Sequence, residues 1–114
     1  MNGIVTIEEE VRGDTLILRM TGRLDAISSP PAESKVVGYI NGGRNKLLID
    51  MGGIDYLSSA GMRMLLSVAK KIKAHTGKFV LVAVTPNVMD ILRMSGFDRI
   101  LEIAQNEEEG LKKL

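Results

Sequence analysis

The sequence predicts an α/β fold: a mixed, mostly parallel β-sheet that starts with a β-hairpin and has helices packed against it. Three observations lead there. Residues 3–12 (GIVTIEEEVR) and 15–21 (TLILRMT) are strand-like runs around the turn signal Arg12-Gly13-Asp14, which reads as an antiparallel hairpin. Beyond residue 25, helical and strand-like patterns alternate with short connections, the order that produces parallel strands joined by right-handed crossovers. The later strands carry unbroken apolar runs, Leu47-Leu48-Ile49 and Phe79 to Val84, as expected where helices cover both faces of a sheet. The 114 residues are expected to form one domain with a core of its own, and no linker, internal repeat or low-complexity segment interrupts them.

In chain order, Gly22-Arg23-Leu24-Asp25 closes the second strand. Ser28-Ser29-Pro30-Pro31 then opens a helix, with serine at the cap and proline in the first turn. It runs to about Ile40 and ends at Asn41-Gly42-Gly43. Its inward face (Ala32, Val36, Tyr39, Ile40) is thin, and Gly38 weakens it. Lys46 to Asp50 is the next strand, expected to stop at a Gly52-Gly53 turn. A short apolar stretch, Ile54 to Leu57, leads into Ser58-Ser59-Ala60-Gly61. From there Met62, Leu65, Leu66, Ala69 and Ile72 recur at the spacing of one helix face, so a helix is expected from Ser59 to about His75, ended by Thr76-Gly77. Lys78 to Val84 is the clearest buried strand. Thr85-Pro86 starts a helix that turns Val88, Ile91 and Leu92 inward and stops at Gly96. Phe97 to Ile103 leads to a short last strand or turn, and Glu107 to Leu114 to a short amphipathic helix.

Composition removes several function classes. Fifteen basic against fourteen acidic residues leave a net charge of +1, without the basic field of a nucleic-acid binder. There is no cysteine, hence no disulfide framework and no thiolate chemistry. The N-terminus lacks the basic start and apolar run of a signal peptide, and no apolar stretch has the length to cross a bilayer; a cytoplasmic protein is expected, off the membrane. Neither Gly42-Gly43 nor Gly52-Gly53 has the spacing of a phosphate loop with lysine, and no cofactor is expected. Asp50 and Asp55 near a strand end are weak as a Mg²⁺ pair and read as solvated or turn-capping, so no metal is expected. His75 is the single histidine and sits at a helix C-terminus, where a cation is favourable. It is more than a dozen residues from Ser59, too far for a Ser–His pair. The sequence around Ser59, Leu57-Ser58-Ser59-Ala60-Gly61, is not a Gly-x-Ser-x-Gly elbow, which argues against a serine hydrolase and for a non-enzyme. Lys70, Lys71 and Lys73 read as a solvated helix face.

The stretch Asp50 to Met64 concentrates what function the sequence offers. Two serines stand where a loop becomes a helix. A serine there accepts a hydrogen bond from the unpaired N–H groups of the first turn; the same place suits a phosphate, because those N–H groups and the helix dipole favour negative charge. Gly61 has two readings, close approach by a partner's active site or packing against a strand. Met64 lies opposite the Met62–Leu65–Leu66–Ala69–Ile72 stripe and is expected to be exposed beside Arg63 and Ser67, either as part of a partner surface or as a single exposed apolar residue without a role.

These residues are also familiar as a set. Asp50-Met51, Gly53-Ile54, Tyr56-Leu57 and Ser58-Ser59-Ala60-Gly61-Met62-Arg63 resemble the signature of the STAS domain and, more closely, of the bacterial anti-sigma factor antagonists. Gly22-Arg23-Leu24-Asp25 matches a second landmark of that family and Leu92-Arg93-Met94-Ser95-Gly96-Phe97-Asp98 a third, so the likeness covers nearly the whole chain in the right order. It implies a STAS-like fold and a small switch protein, usually monomeric. Unphosphorylated, such a protein binds an anti-sigma factor that is also a serine kinase and so frees the sigma factor. Phosphorylation of one serine dissolves the complex, and a metal-dependent serine/threonine phosphatase resets it. By position the acceptor is Ser59, with Ser58 second; Ser58 replaces the aspartate of many family members. Asp25 matches the family's loop aspartate near the acceptor. The partner surface implied is Asp25, Ser58, Ser59, Gly61, Met62, Arg63 and Met64. A non-catalytic STAS subunit of a lipid-transport or stressosome-type complex is the alternative.

Overall fold

The computed structural model describes residues 4–114; residue 3, where the expected first strand begins, lies outside them. Five strands form one sheet in the order β1-β2-β3-β4-β5. β1 (Val5–Arg12) and β2 (Thr15–Leu24) are the antiparallel hairpin. β2, β3 (Lys46–Leu57), β4 (Lys78–Val82) and β5 (Ile103–Ala104) pair in parallel. Between them run α1 (Ser29–Asn41), α2 (Ser59–Ala74) and α3 (Pro86–Ser95), and α4 (Glu107–Lys112) ends the chain.

Strand pleating assigns the two faces. Leu16, Leu18 and Met20 of β2, Leu47, Ile49 and Met51 of β3, and Leu81 of β4 pack with the apolar residues of α1, α2 and α3 in one large core. The alternate residues Ile17, Leu48, Val80 and Val82 make a smaller cluster with Ala104, and Leu111 of α4 packs on it. A side chain at Gly110 would strike Val82, so glycine lets this short helix lie close on the sheet. Arg19, on the same face, fixes its start: its Nε and Nη2 donate to Glu107 at 2.7 and 2.9 Å, and Nη2 also pairs with Glu10.

β3 departs from expectation. Gly52-Gly53 is not a turn; the strand continues through both glycines to Leu57. The reason lies in β2. The pairing slips between Arg19 and Thr21 and again between Gly22 and Arg23, and at that irregularity the two backbones crowd together. A Cβ on Gly53 would sit 2.7 Å from the Met20 carbonyl oxygen. The glycine is there for close approach rather than for a reversal. β2 correspondingly extends past residue 21 to Leu24, paired with Leu57.

α2 departs in its rotation. Its buried residues are Gly61, Met64, Leu65, Val68 and Ile72, while Met62, Leu66 and Ala69 are only partly buried at the edge of the core. The expectation that Met64 is exposed is therefore overturned: it is 1% exposed and belongs to the core. Both stripes have helical spacing, and a helix with apolar residues at 62, 64, 65, 66, 68, 69 and 72 can be docked by either. Gly61 decides between them by giving α2 a bare patch that fits against the end of β2.

Candidate functional site

The β2–α1 loop and the β3–α2 junction meet at one end of the sheet. The Ser58 N–H donates to the Leu24 carbonyl at 2.8 Å, which brings the loop from Asp25 to Ser28 alongside the start of α2. Gly61 tightens the same contact. A Cβ there would lie 2.7 Å from both the Leu24 carbonyl oxygen and Leu57 Cδ1. Of its two readings the packing one holds: Gly61 is buried against β2, out of a partner's reach.

The two serines divide the roles that the sequence left open. Ser58 is extended (φ −83°, ψ 174°), and its Oγ accepts from the Gly61 N–H at 3.2 Å, so it is the cap. Ser59 is the first residue of α2; it is exposed, and its hydroxyl has no hydrogen bond to any described residue. Arg63, one turn further on, is also exposed. Met62 is half-buried.

Asp25 is braced from within its loop. One oxygen, Oδ1, accepts from the N–H groups of Ile27 at 3.0 Å and Ser28 at 2.9 Å. The Ser28 N–H above all holds its carboxyl below the usual aspartate range, against the opposing pull of desolvation. Ser28 does not cap α1 as expected. Its hydroxyl is turned back into the loop, where it donates to the Arg23 carbonyl and accepts from the Asp25 N–H.

Sequence reasoning missed two features of this end. Ile27, two residues beyond Asp25, is 69% exposed; its only signal was an isoleucine in a loop that joins no apolar stripe. Arg23 lies over the Tyr56 ring, 4.7 Å from its centre. The two face each other across the β2–β3 pairing, a contact visible only once Gly52-Gly53 is known to continue the strand. Between α1 and α2 runs a groove of about 610 Å³ whose walls include Ser29, Glu33, Ala60, Arg63 and Lys71.

Asp50 is half-buried and bonds to the backbone of its own strand. Its Oδ1 accepts from the Gly52 N–H and its carboxyl faces Glu107. Burial and then the Glu107 carboxylate push Asp50 up, while the Arg19 guanidinium holds Glu107 down to about 2. This acidic pair stands on the α4 face, away from the serines. Among the described residues no group of three acidic or histidine side chains could hold a metal ion, and no helix is long and apolar enough to cross a membrane.

Comparison with known proteins bears on the family and the fold. A Bordetella bronchiseptica protein, BtrV, described as an anti-sigma factor antagonist, is 31% identical over 93 residues, 82% of this chain and 80% of its own. The anti-sigma F factor antagonist of Paenibacillus polymyxa is 28% identical over 109 residues, 95% of this chain and 93% of its own. The crystal structure of a Thermotoga maritima protein of the same description superposes with a TM-score of 0.89 at 21% identity, covering 94% of this chain and 92% of that one, which shows the shared fold. The model of the STAS domain matches residues 6–110, and the chain belongs to that family.

Proposed function

We propose that this chain is an anti-sigma factor antagonist switched by phosphorylation of Ser59. In this reading the unphosphorylated protein, a monomer, binds an anti-sigma factor that is itself a serine kinase, and the sigma factor goes free. The kinase transfers the γ-phosphoryl group of ATP to Ser59: the serine oxygen bonds to phosphorus, the bond to ADP breaks, and the hydroxyl proton passes to a base of the kinase. A serine/threonine phosphatase then hydrolyses the ester and restores the hydroxyl. The observation that carries the reading is the division of labour between the serines: Ser58 is spent on the cap, and Ser59 is exposed and unengaged.

The physical consequence is local. The phosphate adds roughly −1.5 to −2 charges and three strong acceptor oxygens. The helix start tolerates it, because its dipole and free N–H groups offset the charge. A partner packed over Ser59 does not, because desolvating the added charge inside the interface is costly. The scaffold stays and the complex parts.

The test is phosphorylation with ATP and the cognate kinase. Ser59→Ala is expected to abolish labelling and to retain the kinase constitutively, Ser59→Asp to lose it, and Ser58→Ala to be labelled still. Labelling of Ser59→Ala at the wild-type level would move the acceptor elsewhere.

A further inference from the structure

We infer that Arg63 is the phosphate clamp of the switch: once Ser59 is phosphorylated, the Arg63 guanidinium closes on the phosphate of its own helix. The inference rests on Ser59 as acceptor and adds a device to that site. Ser59 and Arg63 are four residues apart on α2 and both exposed, which places their side chains one above the other on the same helix face. The order is the favourable one, with the anion nearer the N-terminus. A planar guanidinium can grip two phosphate oxygens at once.

Arg63 is available for this. It takes part in none of the ion pairs among the described residues, and α2 contains no acidic residue. The carboxylate in the groove wall beside it, Glu33, accepts a hydrogen bond from Ser67 at 3.1 Å. The other charged groups are worse placed for the phosphate. Asp25 would repel it, Arg23 is stacked on Tyr56, and Lys70 and Lys71 lie 11 and 12 positions along the helix, about 16 to 18 Å away at 1.5 Å per residue. The clamp replaces an exposed cation on the partner-facing surface by a guanidinium–phosphate pair of net negative charge, so a partner that uses Arg63 loses that contact.

The experiment installs phosphoserine at position 59 during translation, so that no kinase is needed, and follows the phosphate by ³¹P NMR as pH is varied. A phosphoserine titrates near pH 6. With Arg63 present the midpoint is expected to lie roughly 0.3 pH unit lower than in Arg63→Gln, the size of a helix ion pair one turn apart. Arg63→Lys is expected to keep part of that shift, Arg23→Gln all of it, and high salt to remove it. The Arg63 Nε–H resonance is expected to move when phosphoserine replaces serine. Superimposable curves for wild type and Arg63→Gln, or a shift lost in Arg23→Gln instead, would overturn the clamp. Kinase labelling of Ser59→Ala tests the acceptor separately, so successful labelling with a failed titration removes Arg63 alone.

Discussion

Two helices of this protein begin with a pair of serines, and the pairs are put to opposite uses. At the start of α1, Ser28 and Ser29 are both buried. The Ser28 hydroxyl ties Arg23 to Asp25 within the loop, and the Ser29 hydroxyl finds no partner among the described residues. At the start of α2, Ser58 caps its own helix and Ser59 faces solvent. The dipeptide and its position before a helix are the same. What differs is how the helix is docked: Gly61 presses the first turn of α2 onto Leu24 through its bare side, which leaves Ser59 outside, whereas α1 turns its serines inward. A serine pair at a helix start is thus not by itself a modification signal; the docking face chooses.

That comparison can be broken or sharpened by substitution. The largest effect is expected at Gly61, because it sets the docking. Gly61→Ala puts a methyl group into the Leu24 backbone and should cost about 1–3 kcal/mol, read as a fall in the urea midpoint. Ser28→Ala comes next. It removes a buried hydroxyl and leaves its partners in the loop unmatched, a loss of about 1–3 kcal/mol. Ser58→Ala removes only a cap, about 1 kcal/mol. Ser59→Ala should stay within about 0.5 kcal/mol of wild type, and Ser29→Ala should be neutral or stabilising, since it deletes an unpaired buried hydroxyl. A stability loss at Ser59 as large as that at Ser28 would erase the distinction between the pairs.

Acid provides a control, because it acts on the other side of the sheet. Glu107 is held below its ordinary range by Arg19, so its contribution is present above its unfolded value and is lost as pH falls from about 4.3 toward its folded value of about 2. Asp50 works in the opposite sense: its pKa is raised, and its protonation on acidification relieves the crowding with Glu107. The net expectation below about pH 4.3 is a looser α4, seen as faster amide exchange at Gly110, with the Gly61 amide still protected. Equal loss of protection at both glycines would mean that the two faces do not open separately.

The sequence made some of this legible and concealed the rest. The hairpin, the alternation of helices and strands and the helix starts at Ser59 and Pro86 follow from turn residues and apolar period, which are local properties. The course of β3 through Gly52-Gly53 does not, because the glycines answer to a slipped neighbour strand rather than to a bend in their own. The rotation of α2 does not either: its apolar residues support two stripes, and the one that buries Met64 was selected by Gly61 against Leu24, a contact between residues far apart in the chain. Ser59 was identified by its place in a motif, while its exposure and the capping by Ser58 came from the fold. The Thr85 hydroxyl carries the same lesson, since it bonds to the Ile54 carbonyl at 3.0 Å instead of capping α3.

The unbroken run of β3 bears on how information leaves the molecule. Twelve residues run along the sheet to Leu57, and α2 begins after one more, so Ser58 alone separates the strand from the helix that carries the Ser59 hydroxyl. With so short a connection, the proposed phosphate at Ser59 is expected to leave the sheet as it is. In the proposed switch the protein would work as a plug whose tip is either clean or charged, and the movement that accompanies release would fall to the socket.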